Sequence, residues 1–183
     1  MKPRLIILSD LWGQKKSQWT NGYKQELQER FDVKYYDCCE LAEIDTSIYT
    51  EDKIHAQFVN GGIETASQKL VLLEPKKVFI LAFSVGGTIA WKAGFKGLNF
   101  HFLYAISANR LRHQTALLSG NLHLYFGAED PYKPTQKWFD KIKPNYTIIE
   151  NQGHTIYANA KFISRICKSI LHDLAELKQT KND

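Results

Sequence analysis

Short apolar runs recur along the chain and alternate with longer segments in which apolar and polar residues are mixed. The runs are rich in β-branched and aromatic residues, as β-strands are, and they cover residues 5–8, 33–36, 78–83, 100–106, 122–126 and 146–150. Strands that alternate with helical segments are typical of a parallel sheet with crossover helices. We therefore predict an α/β fold, a three-layer α/β/α sandwich around a mostly parallel sheet of about six strands.

The helical segments differ in how clearly they are marked. The last one is the clearest, because apolar residues recur at intervals of three and four from Ile163 to Leu174, with charged residues between them. A second helix is predicted over residues 52–72 and would end before Pro75. The run 78–83 is apolar throughout, which predicts a strand buried on both faces.

Composition limits the classes of protein to consider. The 183 residues are 44% hydrophobic and 23% charged, which fits one globular domain spanning 1–183, and we expect the last few residues to form a flexible tail. The longest apolar runs are too short to span a bilayer, and the N-terminus lacks the pattern of a signal peptide, so a cytoplasmic location is expected. The lysines behind the net charge of +5 are scattered, which argues against nucleic-acid binding.

The three cysteines do not have the spacing of a disulfide framework or a zinc site. We expect Cys167 to pack on the apolar face of the last helix. The adjacent pair Cys38 and Cys39 follows a predicted strand, and we expect it to be half exposed.

The segment Leu81-Ala82-Phe83-Ser84-Val85-Gly86-Gly87 predicts a strand, a tight turn and a helix. Small residues two positions before and after Ser84 would let its backbone adopt a strained conformation that projects the hydroxyl above the sheet. The pattern resembles the nucleophile elbow of the α/β-hydrolase superfamily, G-x-S-x-G, with Ala82 in place of the first glycine. The alternative is a phosphate-binding turn of a Rossmann-like domain, although the chain has neither a G-x-G-x-x-G nor a P-loop pattern.

Two later turns carry the other residues that an activated serine needs. Gly127-Ala128-Glu129-Asp130 follows one predicted strand and resembles the acid loop of the superfamily, with Asp130 as the acid and Glu129 as the alternative. Gly153-His154 follows the next predicted strand, where the superfamily has its base. The order Ser, Asp, His is that of α/β-hydrolases rather than of chymotrypsin-like or subtilisin-like enzymes.

An oxyanion formed during acyl transfer needs hydrogen-bond donors, normally two backbone N–H groups. The resemblance implies that Val85 supplies one of them. The loop Asp10-Leu11-Trp12-Gly13 resembles the H-G-x-G turn of many hydrolases, which makes Trp12 the second donor and leaves Leu11 as the alternative.

Other residues at the carboxyl ends of the predicted strands are candidates for substrate binding, because ligands bind at that edge of such sheets. Arg110 could hold an anionic part of a substrate. The full set of candidates is Asp10, Leu11, Ser107, Asn109 and Arg110.

The resemblance implies a small serine hydrolase that cleaves a carboxylic ester or thioester through an acyl-enzyme and needs no metal or organic cofactor. Only about 15 residues separate two of the predicted strands where many relatives carry a cap, so an open site is expected. The acyl substrate would be a small molecule or carried by an acidic protein. A hydrolase-fold protein that binds without catalysis, or an acyltransferase, are the alternatives, and the oligomeric state is left open.

Overall fold

The computed structural model describes residues 2–180, and its six strands form one sheet in which every neighbouring pair is parallel. The strands are β1 (Arg4–Leu8), β2 (Asp32–Tyr36), β3 (Val78–Phe83), β4 (Phe100–Ile106), β5 (Asn121–Gly127) and β6 (Tyr146–Ile149). Their order across the sheet is β2-β1-β3-β4-β5-β6. All six predicted strands are confirmed. The expected flexible tail falls on residues 181–183, outside the described residues.

Helices cover both faces of the sheet. They are α1 (Thr20–Leu27), α2 (Cys38–Leu41), α3 (Glu51–Gln57), α4 (Ile63–Leu73), α5 (Val85–Phe95), α6 (Gln136–Ile142) and α7 (Ala160–Gln179). Helices α1 and α7 pack on one face, and α2 to α6 pack on the other. Alternate side chains of a strand serve the two layers: Ile80 and Ala82 belong to one core cluster, while Phe79 and Leu81 belong to the other. The three-layer sandwich is thus confirmed.

Strand β3 has all six residues buried, as the apolar run predicted. Within residues 2–180, no helix has the length and apolar character needed to cross a bilayer.

The helix predicted over residues 52–72 is wrong as one continuous element. The chain forms α3, then a π-helical turn at Phe58–Gly62, then α4. The break lies at Asn60 and Gly61, which have non-helical dihedral angles, and Gly61 has a φ of 130°. A residue with a side chain rarely adopts such a φ, so the glycine permits the kink.

The expectation that Cys38 and Cys39 are half exposed is also wrong, since both are buried. Asp37 caps α2 by accepting hydrogen bonds from the backbone N–H groups of Cys39 and Glu40, which turns the helix inward. The thiols of the two cysteines then contact the carbonyl oxygens of Ser9 and Leu11. Cys167 lies on the apolar face of α7 and is buried in the core, as expected.

The strand order places the candidate residues at one edge of the sheet. From β1 the chain first adds β2 on one side of β1 and then adds β3 on the other side. A crevice forms outside the carboxyl ends of the strands at such a switch point. Ser84 follows β3 there, and Asp10 follows β1. Residues 107–120, between β4 and β5, contain one 3-10 turn, Asn109–His113, and no inserted helical domain.

Candidate active site

Ser84 lies in the turn between β3 and α5 in a strained backbone conformation, with φ 49° and ψ −116°. Positive φ is uncommon for a residue with a side chain and marks places where the surrounding structure imposes it. The turn sits tightly against β1: a Cβ atom on Gly86 would lie 2.5 Å from the Ser9 carbonyl oxygen. Glycine is therefore required at the position two residues after Ser84.

The side chains of Ser84, His154 and Asp130 form one hydrogen-bonded chain. Nε2 of His154 lies 3.0 Å from Oγ of Ser84, and Nδ1 of the same ring lies 2.8 Å from Oδ2 of Asp130. Asp130 is fully buried, whereas the His154 side chain is 31% exposed and Ser84 is half-buried. The structure brings together all three residues singled out in the sequence, and solvent can reach the imidazole.

The Asp130 carboxylate is surrounded by hydrogen-bond donors. The Asn109 side-chain amide lies 2.9 Å from Oδ1 and 3.0 Å from Oδ2, and the Tyr132 backbone N–H donates to Oδ1 at 3.0 Å. Burial by itself raises the pKa of Asp130, but the hydrogen bonds from His154, Asn109 and Tyr132 outweigh it and lower the pKa below its ordinary value. Asp130 is therefore held as a carboxylate beside the imidazole.

Ser107 holds the backbone of the histidine turn. It follows β4, is fully buried, and donates its hydroxyl to the His154 carbonyl oxygen at 2.6 Å. Ser107 and Asn109 were singled out in the sequence for substrate binding, and the structure places both against the Asp130–His154 pair. Their polar side chains make contacts within the protein.

Asp10 belongs to the loop that follows β1, and it is only 3% exposed. Its Oδ1 accepts the backbone N–H of Trp12 at 3.0 Å and the hydroxyl of Ser17 at 3.3 Å, and its Oδ2 accepts the hydroxyl of Tyr157 at 3.2 Å. Burial raises the pKa of Asp10, against the lowering effect of these hydrogen bonds. The carboxylate joins the β1 loop to the turn that contains His154, because Tyr157 lies three residues after His154.

The two candidate oxyanion donors in this loop differ in their surroundings. The Trp12 N–H is donated to Asp10. The residues from 2 to 180 supply no acceptor for the Leu11 N–H. Val85 is the first residue of α5, where the N–H has no acceptor within the helix.

Some residues around the site were missed in the sequence. Tyr132 lies two residues after Asp130, and a carboxylate that accepts the N–H two residues on is a common local turn, so that signal was present. Tyr157 and Ser17 have no comparable signal, because their partner Asp10 is distant from Tyr157 in the chain. Arg110, which was singled out in the sequence for substrate binding, lines a cavity that none of Ser84, Asp130 and His154 lines.

Residues 2–180 contain no cluster of three or more histidine, cysteine, aspartate or glutamate side chains arranged to hold a metal ion.

Solved structures share this architecture over almost the whole chain. A CIB-like hydrolase from Thermoplasma acidophilum superimposes with a TM-score of 0.63 and 16% identity, covering 91% of this chain and 86% of that one. Est1E from Butyrivibrio proteoclasticus, solved with ferulic acid bound, has a TM-score of 0.67 and 11% identity, covering 94% and 90%. A carboxylesterase structure from Nitrososphaera gargenis gives 0.64 and 11%, covering 98% and 92%.

The likeness lies in the structure rather than in the sequence. No protein-family model matches the chain, and no curated protein sequence does. The structural matches nevertheless agree with one another, and they share the fold that the sequence predicts. The chain has the α/β-hydrolase fold.

Proposed function

We propose that this protein is a serine hydrolase that cleaves carboxylic esters or thioesters through an acyl-enzyme intermediate. The observation that carries the proposal is the continuous hydrogen-bonded chain from Ser84 through His154 to the buried carboxylate of Asp130. A serine hydroxyl is a weak nucleophile at neutral pH, and an adjacent base that is itself oriented by an acid activates it. The strained turn at Ser84 holds the hydroxyl at the position this chemistry requires.

The reaction begins when Ser84 Oγ attacks the carbonyl carbon and its proton passes to Nε2 of His154. The tetrahedral intermediate collapses as the protonated ring gives that proton to the leaving alcohol or thiol, which leaves the acyl group on Ser84. Water then attacks the acyl-enzyme and gives a proton to His154, and collapse of the second intermediate returns the proton to Ser84 and releases the acid. Asp130 holds Nδ1–H and stabilises the charged ring in both halves.

The oxyanion of each intermediate needs two donors, and we assign them to the backbone N–H groups of Val85 and Leu11. The Val85 N–H begins α5, whose N-terminal end favours negative charge. Leu11 is preferred to Trp12 because the Trp12 N–H is donated to Asp10. Removing one donor of this kind costs about 3 kcal/mol of transition-state stabilisation.

Asp10 gives a second negative charge close to the imidazole. The interaction between the two groups lowers the pKa of Asp10, although burial keeps the net shift upward. We assign Asp10 as a positioning residue, since it fixes the Trp12 N–H and the Tyr157 hydroxyl.

The proposal is tested by the hydrolysis of p-nitrophenyl acetate. We expect a burst of p-nitrophenol followed by steady turnover, and a loss on the order of 10⁶-fold in kcat for Ser84→Ala. Ser119→Ala is the matched control, because Ser119 is exposed and lies outside the site. Equal activity of Ser84→Ala and the native chain would contradict the proposal.

A further inference from the structure

A cavity of about 200 Å³ lies between the π-helical turn, α4, α5 and the turn Asn109–His113. One part of its wall is apolar and includes Phe58, Val59 and Ile63. The polar side chains of the lining are those of Glu64, Thr88, Lys92, Arg110, His113 and Gln114. The cavity is thus amphipathic, with a hydrocarbon surface leading to a hydrogen-bonding and cationic one.

Arg110 is the cation that lacks a balancing charge. It is half-buried, and among residues 2–180 no carboxylate lies within ion-pair distance of its guanidinium. Burial and the neighbouring Arg112 lower the pKa of Arg110. A cation that is partly removed from water is normally paired with an anion. Because Arg110 has no such partner in the protein, its charge is available to an anion in the cavity.

The carboxylate in the lining of the cavity, that of Glu64, is already paired with two lysines. Lys92 lies 3.5 Å from a carboxylate oxygen of Glu64, and Lys96 lies 2.5 Å from the second oxygen of the same carboxylate. These three side chains form a cluster that carries one surplus positive charge at the cavity rim. Glu64 therefore does not cancel the charge of Arg110.

Thr88 provides an independent observation that a ligand belongs here. The residue is 1% exposed and lines the cavity, yet its hydroxyl has no hydrogen-bond partner within the described residues. A buried hydroxyl without a partner is unfavourable, and native structures rarely contain one without a reason. A ligand oxygen in the cavity would supply the missing acceptor.

The cavity is within reach of a substrate bound at Ser84. Thr88 lies four residues after Ser84 on the same helix, which is about 6 Å along the axis. Arg110 directly follows Asn109, whose amide lies 3.0 Å from Oδ2 of Asp130. Ser84 itself does not line the cavity, so a substrate that uses both must extend from Ser84 past the first turn of α5.

We propose that this cavity binds an anionic group at the far end of the acyl chain of the substrate, so that the preferred substrates are esters of acyl groups ending in a carboxylate. This inference rests on the proposed hydrolase function. The methylene chain lies along Phe58, Val59 and Ile63. The terminal carboxylate accepts hydrogen bonds from the Arg110 guanidinium and the Thr88 hydroxyl, and the guanidinium can do so in the paired geometry that suits carboxylates.

The test compares two series of p-nitrophenyl esters: half-esters of dicarboxylic acids from succinic to suberic, and esters of neutral acyl groups of the same chain length. The native chain is expected to have a higher kcat/KM for one or more half-esters than for the matched neutral esters. Arg110→Gln is expected to lower kcat/KM for the half-esters by about 10- to 100-fold, the effect of losing a charged hydrogen bond, and to leave the neutral series unchanged. Thr88→Val, which keeps the shape of the side chain, is expected to lower the same series by a smaller factor.

Arg30→Gln is the matched control, because it removes the same charge from an exposed site away from the cavity. It is expected to leave both series unchanged. Equal losses on both series in Arg110→Gln, or none on either, would overturn the inference while the hydrolase function stands.

Binding of free suberate to Ser84→Ala, measured by calorimetry, separates the two proposals because it needs no turnover. One outcome is that suberate binding disappears in the double variant with Arg110→Gln and that the native chain hydrolyses no ester. That outcome would support the anion site in the cavity and refute the hydrolase function. Suberate binding that persists unchanged in the double variant would refute the assignment of Arg110. The absence of binding and of any half-ester preference would refute the cavity site.

Discussion

Replacing Asp130 by asparagine changes one atom and one charge in a site where every partner is a donor. The carboxylate accepts hydrogen bonds from His154, from the Asn109 amide and from the Tyr132 backbone N–H. Asparagine has nearly the same shape, so the backbone need not move. Its NH₂ group, however, must face one of these donors.

The structure decides which way the new amide turns. The Asn109 amide lies beside both oxygens, so it does not decide the orientation. At the Oδ1 position the NH₂ would face the Tyr132 backbone N–H, which cannot accept a hydrogen bond. At the Oδ2 position it meets Nδ1 of His154, which becomes an acceptor if the ring switches tautomer. The NH₂ of Asp130→Asn therefore points at the ring, and Nε2 carries the proton.

A ring in that tautomer cannot accept the proton of Ser84. The same change in a serine-protease triad lowers kcat by about 10⁴-fold, which corresponds to about 5.5 kcal/mol in the activation free energy. We expect a loss of this size for Asp130→Asn. It is measured as kcat for p-nitrophenyl acetate, with thermal unfolding to establish that the variant is folded.

Glu129→Gln is the control, because Glu129 lies in the same loop but is exposed, and it removes the same charge. Its kcat should remain within about twofold of the native value, since surface charges contribute little. A folded Asp130→Asn variant within about tenfold of native activity would refute the reasoning. A large loss in Glu129→Gln would make Glu129 the acid.

Three further variants test the surroundings of the site. Asp10→Asn removes a carboxylate whose pKa is raised by burial, so the stability of the native chain falls as pH rises above the ordinary value of 3.8. The Tm of the variant minus the Tm of the native chain should therefore increase from about pH 4 to about pH 8. A Tm difference that decreases over this range would contradict the argument. Gly127→Ala places a Cβ atom 2.2 Å from the Gln152 carbonyl oxygen, and urea unfolding should show a loss of about 1–3 kcal/mol, together with lower kcat; unchanged stability would show that the loop yields freely. Asn109→Ala removes hydrogen bonds that lower the pKa of Asp130. Urea unfolding should show that the free energy of unfolding falls by about 1–3 kcal/mol above pH 3.8, and that this loss shrinks as pH falls below that value. A loss that does not depend on pH would assign Asn109 to packing alone.

The fold follows from the sequence wherever the signal is local. Each strand is a short run rich in β-branched or aromatic residues, and alternate side chains of a buried strand serve two packed layers, so the six runs were sufficient to predict the sandwich. The kink between α3 and α4 was missed although Asn60-Gly61-Gly62 is a turn-forming sequence, because the apolar periodicity continues across it. Burial of the cysteine pair depends on the cap formed by Asp37 and on carbonyl groups of another loop, which no local pattern reveals.

The residues of the candidate site also differ in whether a local sequence signal marks them. Ser84, Asp130 and His154 lie in turns with local signatures that follow β3, β5 and β6, and the parallel topology brings those turns to one edge of the sheet. The partner of Trp12 could not be predicted in this way, because it depends on the side-chain conformation of Asp10 within a folded loop. Asn109 has no motif of its own, and its amide reaches Asp130 only once β4 and β5 are paired.

Labelling by a fluorophosphonate tests the central claim most directly, because this reagent reacts with a serine only when the hydroxyl is activated. Intact-mass analysis of the native chain should show one covalent adduct, and peptide mapping should place it on Ser84. The adduct should be absent in Ser84→Ala and nearly absent in His154→Ala, while Ser119→Ala is labelled as the native chain is. A folded native chain that takes up no label, or a label on another residue, would contradict the account.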